Sequence, residues 1–228
     1  MHPQVKTLLI FPGAGNPSQH LYARVYDLIE RGALEYGYET VDTSIRWPGQ
    51  RNDDSEESAA LDFHSSLNVA GRHLQIYEQT STPYDILARS FGTYVALRIA
   101  TSLRPRFLNR LILWGVPPFW RMWEIYVRDF DATQRLGTSK GVVINRGLFA
   151  SLEPVESLLE SVSYQVTIAS GTEDKFSTSA DVSYLRALVV NENVRFNQPV
   201  KSAPHEVTDE FPSAVVSDYF HALFTHDD

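Results

Sequence analysis

The chain has 228 residues, of which 21 % are charged, and a formal net charge of −8. This length suits one domain with a sizeable core, and the acidic balance argues against nucleic acid as a partner. The sequence contains no cysteine, which excludes disulfides, thiolate metal sites and cysteine nucleophiles. The first apolar run is too short for a signal peptide or a membrane span, so we expect a soluble, cytoplasmic protein that begins directly with a strand.

Short apolar runs alternate along the chain with longer segments of helical periodicity. The predicted strands are Val5–Phe11, Glu39–Ile45, Tyr84–Ala88, Arg110–Trp114, Tyr164–Ala169 and Val194–Asn197. The predicted helices are Gln19–Tyr36, Glu57–Gln79, Phe91–Leu103, Ala180–Val190 and Ser213–Phe224. This alternation indicates repeated βα units, and so a single α/β domain over residues 1–228 with a mostly parallel sheet of about six strands and helices on both faces.

A glycine-rich loop follows the first predicted strand. Gly13-Ala14-Gly15 allows the backbone to turn its amides toward a ligand. The same pattern begins a dinucleotide-binding fingerprint, in which amides at a helix start hold a pyrophosphate. The third glycine position of that fingerprint is Ser18, however, and the nearest acid, Asp42, lies further along than the expected spacing. The dinucleotide interpretation is therefore the weaker alternative for this loop.

The segment around Ser90 is the most informative in the sequence. It reads as a strand, a sharp turn and a helix, with Ser90 at the apex and small residues, Ala88 and Gly92, two positions to either side. A strained turn of this kind lifts a serine hydroxyl above the sheet, and bulky neighbours would collide with it. The alternative is a serine that only caps the following helix. For Arg89, beside the serine, we consider contact with an anionic group, or a place on the far side of the sheet or in solvent.

Ala88-Arg89-Ser90-Phe91-Gly92 resembles the nucleophile elbow of α/β-hydrolases, Gly-x-Ser-x-Gly, with alanine in place of the first glycine. The resemblance implies an oxyanion hole made of two backbone amides. One is the N–H of Phe91, directly after the serine. The other comes from the loop after the first strand, where Ala14 is the choice and Gly13 or Gly15 the alternatives.

A long connection separates the strands that end at Trp114 and begin at Tyr164. Residues 117–160 are more than a plain crossover needs, and they open with an aromatic-rich stretch. Ligands in this fold class bind beyond the carboxyl ends of the strands, so we expect a lid-like insertion in which Phe119, Trp120 and Trp123 bind substrate. An equally weighted alternative is that these aromatic residues pack a crossover helix onto the sheet.

The resemblance also implies an acid after a late strand and a histidine after the last one. Asp174, in Ser170-Gly171-Thr172-Glu173-Asp174, matches the family's acid loop. Glu173 is the adjacent competitor, and a solvated loop carboxylate is the alternative for either residue.

Of the seven histidines, His205 alone lies in the loop after the last predicted strand, 31 residues beyond Asp174. His20, after the glycine-rich loop, is kept as a candidate pocket residue.

Together these residues imply a serine hydrolase that cleaves a small-molecule carboxylic ester or thioester, with Ser90 as nucleophile, His205 as base and Asp174 as acid. No cofactor or metal is implied, because no His-Glu-x-x-His pattern or comparable ligand spacing occurs. Two alternatives stay open: the same triad used for carbon–carbon bond cleavage or a lyase step, and a non-catalytic binding protein on this scaffold. The sequence carries no signal for an oligomeric state.

Overall fold

The computed structural model describes residues 6–14, 20–48, 61–118, 120, 135–137, 143–145, 148 and 151–225. The main sheet consists of β1 (Thr7–Phe11), β2 (Thr40–Asp42), β3 (Tyr84–Arg89), β4 (Leu108–Trp114), β7 (Gln165–Ala169) and β8 (Val194–Phe196). Its strand order is β2-β1-β3-β4-β7-β8, and every neighbouring pair is parallel. A separate antiparallel hairpin consists of β5 (Arg135–Gly137) and β6 (Val143–Asn145).

Helices connect these strands. They are α1 (His20–Glu35), α2 (Phe63–Thr80), α3 (Phe91–Ser102), α4 (Val155–Ser161), α5 (Ser179–Leu188) and α6 (Ser213–Phe224). Each of the first five lies between two consecutive strands of the main sheet, as parallel pairing requires, and α6 follows the last strand. All carboxyl ends of the strands therefore lie at one edge of the sheet.

The core has two layers, one on each face of the sheet. Along β1, Leu9 and Phe11 face the layer that packs against α2, α3 and α4, whereas Leu8 and Ile10 face the layer that packs against α1 and α6. All residues of β1 and β3 are buried, which explains the nearly continuous apolar sequence of β1. Arg89 belongs to the α1/α6 side, because it alternates with Ala88 and follows Leu87 by two residues.

The observed architecture confirms the predicted α/β class, with a six-stranded parallel sheet and helices on both faces. Helix α2 begins at Phe63 rather than at Glu57, because the Asp62 carboxylate accepts a hydrogen bond from the Ser65 amide at 2.7 Å and caps the helix there. Helix α4 and the hairpin were not predicted. The hairpin and all but the last residue of α4 lie within residues 117–160, and most of that predicted lid lies outside the described residues.

Candidate active site

The turn between β3 and α3 holds Ser90 in a strained conformation. Its φ and ψ are 49° and −119°, a combination that non-glycine residues rarely adopt. Ser90 occupies the N-cap position of α3, yet its side chain makes no capping hydrogen bond. The geometry therefore does not support the helix-cap alternative, since the strained turn presents a hydroxyl that the helix does not use.

Gly92 allows this turn to pack against the end of β1. A Cβ atom at Gly92 would lie 2.5 Å from the carbonyl oxygens of both Phe11 and Pro12, far closer than real Cβ contacts. Ala88, on the other side of the serine, is fully buried. The glycine of the elbow thus has a direct steric reason in this structure.

The glycine-rich loop lies directly beside Ser90. A Cβ atom at Gly13 would lie 3.2 Å from Ser90 Cβ and 3.9 Å from Ser90 Oγ, so the bare backbone of Gly13 faces the serine. A side chain also stabilises the loop, because the indole Nε1–H of Trp47 donates to the Pro12 carbonyl at 2.7 Å. Burial raises the pKa of Tyr26, while the Arg89 guanidinium and the Gly13 amide act to lower it.

The predicted acid and base form a buried pair. His205 Nδ1 and Asp174 Oδ2 are 2.8 Å apart, and both residues are at least 95 % buried. Asp174 Oδ1 accepts two backbone hydrogen bonds, from Phe176 at 2.8 Å and from Ser177 at 2.9 Å. Because an ionised carboxylate can only accept, Nδ1 carries the imidazole proton and Nε2 is left as the acceptor. Glu173, the competing acid, is exposed to solvent.

The end of β4 joins the serine turn to the His–Asp pair. The Ser90 amide donates to the Trp114 carbonyl at 3.2 Å. The next residue, Gly115, has a φ of +60°, and a Cβ atom there would lie 2.7 Å from His205 Nδ1 and 2.9 Å from Asp174 Oδ2. Trp114 and Gly115 therefore lie between the Ser90 turn and the His205–Asp174 pair, at the carboxyl edge of β3, β4 and β7.

Arg89 is the unexpected member of this site. It is 2 % exposed, and its Nη2 donates to the His205 carbonyl at 2.7 Å. The structure thus places it on the sheet face opposite α3, one of the predicted positions, and overturns the solvent-exposed alternative. The sequence signal was a charged residue directly before the serine, at the end of β3.

The predicted substrate-binding aromatic residues are only partly described. Trp120 is 41 % exposed, whereas Phe119 and Trp123 lie outside the described residues. His20 is the first residue of α1, and the structure does not describe its side chain. In the part of the chain that the structure describes, no helix combines the length and the apolarity needed to cross a bilayer.

No family model matches this sequence, and neither does any curated protein sequence. Solved structures, however, are similar over almost the whole chain. Est1E from Butyrivibrio proteoclasticus, in a complex with ferulic acid, has a TM-score of 0.66 at 13 % identity, covering 96 % of this chain and 89 % of its own. A monoacylglycerol lipase from Paleococcus ferrophilus has a TM-score of 0.61 at 16 % identity. The similarity covers 95 % of this chain and 94 % of the lipase chain.

An alpha-beta serine hydrolase homologue from Coxiella burnetii has a TM-score of 0.58 at 14 % identity, covering 95 % of this chain and 82 % of its own. At sequence identities this low, the similarity shows the fold only, and the chemistry has to be argued from the residues of the site. The chain therefore has the α/β-hydrolase fold, as the sequence resemblance implied.

Proposed function

We propose that this protein is a serine hydrolase that cleaves a carboxylic ester or thioester through an acyl-enzyme, with Ser90, His205 and Asp174 as its triad. The observation that carries the proposal is the buried 2.8 Å contact between His205 Nδ1 and Asp174 Oδ2, next to the strained turn of Ser90. A buried carboxylate with two backbone donors and one imidazole is suited to hold a tautomer and to stabilise the imidazolium formed during attack.

The proposed reaction has two stages. Ser90 Oγ attacks the carbonyl carbon while His205 Nε2 takes its proton, and the resulting tetrahedral oxyanion collapses as the leaving group receives that proton. A water molecule then attacks the acyl-enzyme ester, again giving its proton to His205. The free acid departs, and the proton returns to Ser90. Asp174 stays ionised throughout and orients the ring.

For the oxyanion hole we propose the backbone amides of Phe91 and Ala14. Phe91 is the first residue of α3, so its amide is one of those that the helix leaves unbonded. Ala14 follows Gly13, whose backbone lies beside Ser90, and Gly13 is the alternative donor. Each such donor contributes about 10²- to 10³-fold in rate when it meets the developing negative charge.

For the substrate we propose an apolar acyl or aryl ester bound against Trp120, Phe119 and Trp123. Trp120 supports this, since the residue is 41 % exposed and an indole offers a large apolar surface to a ligand. Among the structural neighbours, Est1E was solved with ferulic acid, and another is a monoacylglycerol lipase. Both are consistent with an ester of this class.

Covalent labelling tests the proposal directly. The wild-type protein, incubated with a fluorophosphonate, should gain one adduct in intact-mass analysis, and Ser90→Ala should gain none. His205→Ala should label at least about 10³-fold more slowly, because the base is missing. Asp174→Asn should slow labelling by about 10³- to 10⁴-fold, because asparagine holds the wrong tautomer.

Glu173→Gln is the matched control, since it changes the neighbouring, exposed carboxylate in the same way. It should label at the wild-type rate, and a larger loss in Glu173→Gln than in Asp174→Asn would overturn the acid assignment. An unlabelled wild-type protein would overturn the triad. Labelling without turnover of p-nitrophenyl acyl esters would assign the same triad to a different chemistry, such as carbon–carbon bond cleavage.

A further inference from the structure

The backbone carbonyl of His205 accepts two hydrogen bonds from buried side chains. Arg89 Nη2 donates at 2.7 Å, and Trp114 Nε1 donates at 2.9 Å. Both donors are at most 2 % exposed, and neither belongs to the loop that carries His205. A backbone carbonyl has two lone pairs, and here buried side chains use both of them.

The two donors form a matched pair in the sheet. Arg89 and Trp114 are directly paired residues in the parallel register of β3 and β4, so their side chains leave the same face of the sheet. Arg89 is bonded covalently to Ser90, and the Trp114 carbonyl accepts the Ser90 amide at 3.2 Å. The same two residues therefore hold the backbone of the serine and the backbone of the histidine.

We propose that Arg89 and Trp114 are positioning residues, a clamp that sets the distance and orientation of His205 relative to Ser90. This inference rests on the proposed function, since it assigns a role within the same triad. Asp174 fixes the tilt of the imidazole ring through Nδ1, whereas the clamp fixes the Cα from which the ring projects. His205 lies in a loop, and loops position side chains less precisely than strands do. The hydrogen bonds from two strand residues therefore make the position of the base more precise.

The environment of Arg89 fits a positioning role better than a purely stabilising one. Its Nε atom is buried without a hydrogen-bond partner among the residues that the structure describes. Its guanidinium lies 5.9 Å from the centre of the Tyr26 ring, and Glu206, which follows His205, adds a favourable charge interaction. Burying a guanidinium is costly unless its donors are well used, and here the Nη2 donor goes to the histidine backbone.

The test measures labelling rates and steady-state kinetics on an ester for Arg89→Met, Arg89→Lys and Trp114→Phe. Arg89→Met keeps an unbranched chain but removes the donors. Trp114→Phe removes the indole N–H together with part of the ring volume, while retaining an aromatic ring against Tyr219. A displacement of the base by about 1 Å costs about 10²-fold. We therefore expect kcat and the labelling rate to fall about 10- to 100-fold with KM nearly unchanged, and Arg89→Lys to recover part of the loss.

Arg110→Met is the matched control. Arg110 is also a buried arginine, lies on the same face of the sheet four residues before Trp114, and is hydrogen-bonded to Asp85 and Tyr38. Its loss should lower the free energy of unfolding but leave the kinetic constants of the folded enzyme unchanged. A fall in activity that follows stability alone would appear in this variant as well.

A second readout does not depend on turnover. The proton between His205 Nδ1 and Asp174 gives a low-field resonance in one-dimensional proton NMR, and the clamp predicts that Trp114→Phe and Arg89→Met shift or broaden it while Arg110→Met does not. The clamp would be overturned, and the triad left intact, if the wild type is labelled and Arg89→Met and Trp114→Phe keep both the wild-type labelling rate and the wild-type resonance. An unlabelled wild type would overturn the proposed function, and the resonance would then decide the clamp alone. If Arg89→Met does not fold, Trp114→Phe carries both readouts.

Discussion

Because Gly115 has no side chain, the His205–Asp174 pair can occupy the space beside it. Its φ of +60° already favours glycine, and a Cβ atom there would lie 2.7 Å from both Cε1 and Nδ1 of His205. We therefore expect Gly115→Ala to push the imidazole away from Asp174 and to lower kcat/KM for an ester at least about 10²-fold, as displacements of about 1 Å do. Steady-state kinetics of the folded variant measures this.

Gly37→Ala separates the steric effect from the backbone strain. Gly37 has a φ of +85°, but a Cβ atom there would meet nothing within 4 Å. Both variants carry the cost of a non-glycine residue at positive φ, roughly 1–2 kcal/mol. Gly37→Ala should accordingly lose stability alone. Equal activity in the two variants would show that the space beside the histidine is not required.

The sequence located some members of this site but not others, for identifiable reasons. Chain order and loop position selected Asp174 and His205, which the structure brings to within 2.8 Å of each other. Arg89 had no assigned partner, because its contact is a backbone carbonyl 116 residues away, and a carbonyl leaves no mark in the sequence. Gly115 passed unnoticed for the same reason, since its role depends on what lies beside it in space.

At the scale of elements, Gly92 determines how closely α3 approaches the end of β1. Because a Cβ atom there would lie 2.5 Å from two backbone carbonyls, the helix would have to move away from the strand. We expect Gly92→Ala to lower the free energy of unfolding by about 1–3 kcal/mol, in the range of overpacked sites, and to reduce fluorophosphonate labelling, since the Phe91 amide moves with the helix. Denaturant unfolding and labelling of the same preparation measure both effects.

Gly71, within α2, is the control for this helix glycine. The nearest atom to a Cβ there is Leu103 Cδ1 at 3.7 Å, an ordinary contact. Gly71→Ala should therefore raise stability by about 0.5–1 kcal/mol through helix propensity and leave labelling unchanged. A stabilised, normally labelled Gly92→Ala protein would contradict the packing argument for the elbow.

The elements were predicted best where sequence periodicity was long. Helix α6 has the predicted bounds, Ser213–Phe224, because its apolar face recurs over three turns. Helix α4 spans only seven residues and the hairpin strands three residues each, too few for a periodic signal. Strand β2 is also shorter than predicted, since the backbone leaves the sheet after Asp42, whose carboxylate accepts hydrogen bonds from the amide and hydroxyl of Ser44.

At the scale of the whole molecule, the two buried layers shield a set of tyrosines from solvent. Burial is the largest cause that raises the pKa of each, and the set is Tyr22, Tyr26, Tyr38, Tyr77, Tyr84, Tyr94, Tyr164 and Tyr219. In the unfolded chain these phenols ionise near pH 10, the ordinary value. Above that pH the unfolded state loses protons that the folded state keeps, so the free energy of unfolding falls as pH rises.

Tyr219 provides the sharpest test of this linkage. Burial raises its pKa to about 12, and its hydroxyl has no hydrogen-bond partner among the described residues. The stability tied to its protonation is complete below pH 10 and is lost between pH 10 and about 12, at ~1.4 kcal/mol per pH unit. Tyr219→Phe should thus reduce the alkaline slope by about one proton while costing little at pH 7, since the deleted hydroxyl is unpaired. Urea unfolding at intervals from pH 8 to about 11 measures the slope.

Tyr184→Phe is the control, because Tyr184 is 45 % exposed. This substitution should leave the alkaline slope unchanged. An equal effect of Tyr184→Phe and Tyr219→Phe on the slope would refute the burial argument.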